Sequence, residues 1–217
     1  MKPNLTIELL KREAAAFGER ESKHAERSMY GVTDGKAVGT YPEHKFMARL
    51  SKQYSFTRGN SAKGIDLPRV GVDIKTTSIR QPQSSCPFSS ARQKIYGLGY
   101  SLLVFVYEKT DVPRLKSARL DIQHVVFVEA AQTGDFQMTR GIQEILARDG
   151  NADDLIAFMN DRLLPADDVE VCKIAEDLLK KPPVQGYLTI SNALQWRLQY
   201  RRVIDQAGYV PGVHRIR

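Results

Sequence analysis

Leu102-Leu103-Val104-Phe105-Val106-Tyr107 is an unbroken apolar run with no polar residue at any second position. A strand of that composition has to be covered on both faces, which requires layers of structure above and below a sheet. A second strand is expected over residues 124–128, His-Val-Val-Phe-Val, and another over the aromatic stretch 54–57. Helices are expected around them. Residues 6–27 carry Ile7, Leu10, Ala14 and Phe17 at helical spacing. A second helix is predicted to open at Thr40-Tyr41-Pro42-Glu43, with proline in the first turn and Phe46, Met47 and Leu50 buried. Residues 79–90, with two prolines and many Ser and Gln, read as a long loop, and 90–98 as a short helix.

Beyond residue 140 the pattern is helical: 142–148, 153–160 and 167–181, the last stopped by Pro182-Pro183. Ser191 is expected to cap a final helix to about Ala207, ended by Gly208. The order predicts a mixed α+β fold of the α/β type, a central mixed sheet flanked by helices with a helical C-terminal part. The division expected is a core over residues 1–165 and a basic segment over 166–217.

Charge narrows the partner. The 217 residues are 42% hydrophobic and 26% charged, globular values, with a net charge of +7. Residues 1–80 hold 15 Lys and Arg against 9 Asp and Glu; residues 141–180 hold 4 against 10; residues 181–217 hold 6 against 1. A polyanion would therefore meet the first and last parts of the chain. Cys86 and Cys172 have no metal-ligand spacing, as expected of reduced thiols in a cytoplasmic protein. No apolar run approaches the roughly 20 residues that span a bilayer, and no membrane partner is expected. His24, His44, His124 and His214 have no ligand-like spacing either.

The chemistry concentrates in Gly64-Ile65-Asp66-Leu67 and Gly71-Val72-Asp73-Ile74-Lys75. A hairpin with its turn centred between Arg69 and Val70 sets Asp66 directly opposite Asp73. Opposed Cβ atoms lie roughly 4.5–5.5 Å apart, close enough for two carboxylates to share a cation. Strand alternation puts Lys75 on the face of Asp73 and sends Ile65, Leu67, Val72 and Ile74 to the other. The plain alternative is an amphipathic hairpin with ordinary solvated charges.

Helix, strand, an acid on a hairpin, Asp-x-Lys on its second strand, then helix and strand: residues 40–107 resemble the PD-(D/E)XK nuclease superfamily, and within it type II restriction endonucleases. The family's proline-aspartate pair is Ile65-Asp66 here, with Pro68 after the acid. The resemblance implies a Mg²⁺-dependent, sequence-specific endonuclease of double-stranded DNA. It further implies a bacterial or archaeal cytoplasmic homodimer with a cognate DNA methyltransferase as genetic partner. Asp66 and Asp73 would be metal ligands and Lys75 would position or activate the attacking water. Glu43 would be a further acid and ligand, unless it closes a capping box with Thr40. Gln93 is either a further site residue or part of a solvated helix face.

Two groups are candidates for contacting DNA. Arg80, Gln81, Gln83 and Arg92 flank the hairpin, and such side chains commonly read guanine and adenine edges. Arg197, Arg201 and Arg202 lie on the expected last helix, opposite a stripe of Ala193, Trp196, Tyr200, Val203 and Ala207. That helix faintly resembles a winged-helix recognition element, or is a basic amphipathic helix packed on the core. The competing functions are a structure-selective or repair nuclease of the same superfamily and a non-catalytic, winged-helix-like DNA-binding regulator.

Overall fold

The computed structural model describes residues 2–59, 65–87, 89–191 and 196–217. In chain order the elements are α1 (Ile7–Glu21), β1 (Ala25–Glu26), α2 (Gly35–Gln53), β2 (Val72–Ser78), β3 (Gln83–Cys86), α3 (Arg92–Tyr96), β4 (Ser101–Val112) and β5 (Ser117–Val128). They continue as α4 (Phe136–Leu146), α5 (Ala152–Asp161), α6 (Asp168–Lys180), β6 (Thr189–Ile190), β7 (Trp196–Gln199), α7 (Arg201–Gln206) and β8 (Val213–Arg215). The expected mixed α+β architecture is present.

The central sheet runs β1-β5-β4-β2, and β8 also pairs with β5. β2 lies parallel to β4, whereas β4 and β5 form a long antiparallel pair. The apolar run falls inside β4 and is covered on both sides. Leu103, Phe105 and Tyr107 join one core with α1 and α2, while Leu102, Val104 and Val106 join a second with β7 and α7. Phe17, Phe46 and Phe105 meet in the first core with ring centroids 5.1–5.6 Å apart. A third, helical core gathers α3 to α6.

Several expected elements differ. Residues 54–57 form no strand; only Ser55 makes an isolated parallel bridge, to Asn4. α2 starts at Gly35, capped by Asp34 accepting from Lys36 and Ala37 N–H, so Pro42 sits inside the helix and Thr40 caps nothing. A Cβ on Gly39 would lie 3.2 Å from Thr76 O, so glycine there lets α2 close onto β2.

The expected loop 79–90 contains β3, and the expected helix 191–207 is replaced by β7 and the short α7. Residues 192–195, Ala193 among them, lie outside the described residues. β3, β7 and β6 make a small antiparallel sheet in which Trp196 and Leu198 point inward and Arg197 and Gln199 outward. Trp196, Tyr200, Val203 and Ala207 are buried as expected, but as strand alternation followed by one helical turn and a half. No winged-helix recognition helix exists over these residues. Among the described residues no helix is long and apolar enough to cross a membrane.

Phe105 is fully buried between two aromatic partners. Phe105→Ala is expected to lower unfolding free energy by about 3–5 kcal/mol in urea titrations. A loss below 1 kcal/mol would contradict the packing described.

Candidate active site

The hairpin closes in the expected register with a longer loop than a two-residue turn. Leu67 and Val72 exchange backbone hydrogen bonds of 3.0 and 3.2 Å, and residues 68–71 form the turn between them. Gly71 takes φ +64°, a conformation that favours glycine. Leu67, Val72 and Ile74 are buried against α1 and α2, and Asp73 and Lys75 face the other side of the sheet.

β2 ends the central sheet, so among the described residues the alternate amides beyond Val72, those of Ile74 and Thr76, face away from β4 with no strand to receive them. Carboxylates receive both. Ile74 N–H donates to Asp66 Oδ2 at 3.0 Å, and Thr76 N–H donates to Glu43 Oε1 at 3.0 Å. Glu43 therefore reaches round the edge of the sheet from α2 to join the hairpin acids. No capping box forms, because Thr40 lies inside α2, whose N-cap is Asp34.

Asp73 is almost fully buried, and its Oδ2 lies 2.8 Å from Lys75 Nζ. That contact is ionic without being well directed, since the same oxygen is buried with no hydrogen bond of good geometry. Burial pushes the Asp73 carboxyl up to about 6; Lys75 opposes this and neighbouring Asp66 adds to it. Burial likewise pushes Glu43 up to about 7, with Lys75 opposing and Asp66 and Asp73 reinforcing. For Lys75, burial favours the neutral amine, but Asp73, Glu43 and Asp66 outweigh it and hold the ammonium above its ordinary pKa. That direction favours the charged ammonium over the free amine.

A cleft of about 720 Å³ opens between α2, β2 and the small sheet. Glu43 and Lys75 line it, together with Lys36, Gln83, Ser85 and Arg197. Tyr200, fully buried, supports this cleft from below: its hydroxyl lies 2.5 Å from Ser84 Oγ. Ser84 and Tyr200 were not legible as site supports, because neither has a chemical signature in the sequence.

The expected DNA-contacting residues divide. Gln81, Gln83 and Arg197 line the cleft, and Arg80 is exposed just past the end of β2. Arg92 is engaged elsewhere, 2.7 Å from both Glu170 and Asp177 on α6. Arg197 and Arg201 do not share a helix face; Arg197 is on β7 and Arg201 opens α7. Arg202 lies over the Phe136 ring at 3.7 Å, outside the cleft. Gln93 donates to Leu98 O at 3.0 Å, closing the turn after α3.

An edge strand bearing Asp-x-Lys, with an acid opposite on a hairpin and a glutamate from the preceding helix, defines a nuclease of the restriction-endonuclease type. A family model described as type II restriction enzyme NspV matches residues 4–215, and the chain belongs to this family. The type II restriction enzyme NspV of Nostoc sp. (strain ATCC 29411 / PCC 7524) is 62% identical over 209 residues, covering 96% of this chain and 95% of that protein. No solved structure matches the chain.

Enzymes of this class work with a divalent metal, and the donors here suit one. Asp66 and Asp73 would supply hard oxygen ligands, and the buried Asp73 Oδ2 lacks a directed partner. Among the described residues no three His, Cys, Asp or Glu side chains are gathered into a cage. Mg²⁺ usually keeps several waters and takes only one or two carboxylates, so that arrangement is compatible with it.

The raised acids set a pH dependence. Glu43 and Asp73 bind protons more tightly in the folded chain than their ordinary values of 4.5 and 3.8. Stability of the metal-free protein should therefore fall as pH rises from about 4 through 7, as these buried groups ionise. A divalent cation needs the ionised forms, so its stabilisation should grow across the same interval. Thermal melts with and without Mg²⁺ at pH 5.5 and pH 8 are expected to show the larger rise in Tm at pH 8. Equal shifts at both pH values would contradict the assignment.

Proposed function

We propose that this chain is a Mg²⁺-dependent endonuclease that recognises a specific sequence in double-stranded DNA and hydrolyses a phosphodiester bond in each strand. The observation that carries the reading is the convergence of Asp66, Asp73, Glu43 and Lys75 on one edge of β2. The 62% identity to the Nostoc type II restriction enzyme supports it. Asp66 and Asp73 would hold the metal, with Glu43 as a further acid at its margin. When bound, the metal would neutralise charge on the phosphate and lower the pKa of a nearby water. Lys75, kept protonated by Asp73, orients that water and donates to a phosphate oxygen as negative charge builds. Burial of Asp73 and Glu43 keeps these interactions strong by excluding competing water.

Cutting both strands with one such site per chain fits a homodimer, one protomer to each strand. A cell carrying this activity needs its own copies of the site protected, which fits a cognate DNA methyltransferase as genetic partner. In this reading residues 166–217 are not a detached module, since β8 pairs with β5 and β7 borders the cleft. Arg80, Gln81 and Gln83 would meet DNA beside the scissile phosphate, while Arg92, Arg201 and Arg202 would have a secondary part.

Incubation of purified protein with plasmid DNA and Mg²⁺ is expected to give discrete fragments. Lys75→Ala is expected to slow cleavage by about 10²–10³-fold, the scale for removing one charged donor from a preorganised site. Asp73→Asn is expected to abolish cleavage and keep binding in gel-shift assays. A smear or nicking confined to branched DNA would favour a structure-selective nuclease. Full activity of Asp73→Asn would remove the catalytic reading.

A further inference from the structure

The strands β3 and β7 pair antiparallel, with Gln83 opposite Gln199 and Ser85 opposite Arg197. Their alternation separates two faces. Cys86, Trp196 and Leu198 are buried against the central sheet, and Ser84 is tied down by Tyr200. The other face carries Gln83, Ser85, Arg197 and Gln199, and Thr189 of β6 extends the Gln83–Gln199 row. Every side chain on that face is polar, and Arg197, Gln199 and Ser85 are exposed.

We propose that this outer face is the base-reading element, with Arg197 and the Gln83–Gln199 pair as specificity-determining residues. The inference rests on the nuclease reading and deepens it. β6 pairs with β7 only at Gln199 and Leu198, so at Ser85–Arg197 the sheet narrows to the β3–β7 pair; a two-stranded ribbon fits the DNA major groove, which is about 12 Å wide, because paired strands lie only about 4.8 Å apart. The residue types suit the task. Arginine takes the O6 and N7 of guanine with two donors, and glutamine takes the N6 and N7 of adenine.

The ribbon's position relative to the chemistry is fixed by short bonds. Gln83 N–H donates to Thr77 Oγ1 at 2.9 Å, and Thr77 Oγ1 lies 3.1 Å from Gln83 O. Thr77 stands two residues after Lys75 on β2, so the reading face and the reacting phosphate are coupled through one strand. Tyr200 N–H donates to Pro82 O at 2.8 Å and ties the other strand to the same point. Gln83, Ser85 and Arg197 share the cleft with Lys75 and Glu43. Arg197 N–H in turn donates to Ser191 Oγ at 3.0 Å, which steadies the backbone beneath the guanidinium.

The test starts by mapping fragment ends of a plasmid of known sequence cut by the wild-type protein, which defines its site. Arg197→Ala, Arg197→Lys and Gln199→Ala are then compared with wild type for binding in Ca²⁺ and for cleavage. Duplexes carry the mapped site, single-base changes within it, or unrelated sequence. Arg197→Ala and Gln199→Ala are each expected to lose about 10- to 100-fold in preference for the mapped site over its single-base variants. Arg197→Lys keeps the charge and loses the fork, so it should lose that preference while its salt dependence stays that of wild type. All three side chains leave the buried face untouched, and matching thermal midpoints would establish that the variants fold.

If the variants keep wild-type discrimination, the ribbon does not read bases. If Arg197→Ala weakens binding to all duplexes equally, lowers the salt slope by about one and is rescued by Arg197→Lys, the residue contacts phosphate and the inference fails. Either result leaves the nuclease reading standing, because wild-type protein would still have cut at defined sites. Absence of discrete wild-type fragments would instead overturn the nuclease reading and this inference together.

Discussion

The free edge of β2 is the constraint on which the site depends. An edge strand exposes amides that would otherwise pair with water or another chain. Here the amides of Ile74 and Thr76 are taken by the carboxylates of Asp66 and Glu43. The edge is thereby finished and two acids are fixed in one step. Asp66 comes from the turn before β2 and Glu43 from α2. The strand is what brings them to the same place.

From that geometry the electrostatics follow. Asp73 and Lys75 sit on the second and fourth residues of β2 and must share a face. Leu102 and Val104 lie beside them on the parallel neighbour, so the pair is desolvated on its inner side. Burial raises both Asp73 and Glu43, the single buried ammonium of Lys75 only partly compensates, and the cluster holds more acids than bases. An added cation relieves that imbalance. The same sheet that stabilises the chain through β4 thus concentrates negative charge where a metal-assisted reaction on a polyanion requires it.

Much of this was legible in the sequence, for identifiable reasons. The apolar run of β4 has one structural solution, and the spacing of Asp66, Asp73 and Lys75 fixes their register whatever the turn does. The loop length was less legible, because the glycine at φ +64° closes a wider turn than Arg69-Val70 alone. α2 was entered too late, since Gly35, Gly39 and Pro42 are poor helix formers in isolation. For Gly39 the justification is the close approach to Thr76, a tertiary fact. Residues 196, 200, 203 and 207 fit a helical stripe, while Trp-Arg-Leu-Gln fits strand alternation equally well. Pairing with β3, itself hidden in a Gln- and Ser-rich stretch, decides between the two patterns. Arg92 looked available for DNA only because Glu170 and Asp177 are some eighty residues away in sequence.

On this reading Asp66, anchored on an amide of the strand edge, and Asp73, on the strand itself, converge on a single cation. Crystals of the protein soaked in Mn²⁺, with the ion located by its anomalous scattering, test this most directly. The account expects one strong peak within coordination distance of both Asp66 and Asp73, on the side of β2 that carries Lys75. A peak held only by the acidic helices over residues 141–180, or density beside one aspartate with the other turned away, would contradict it.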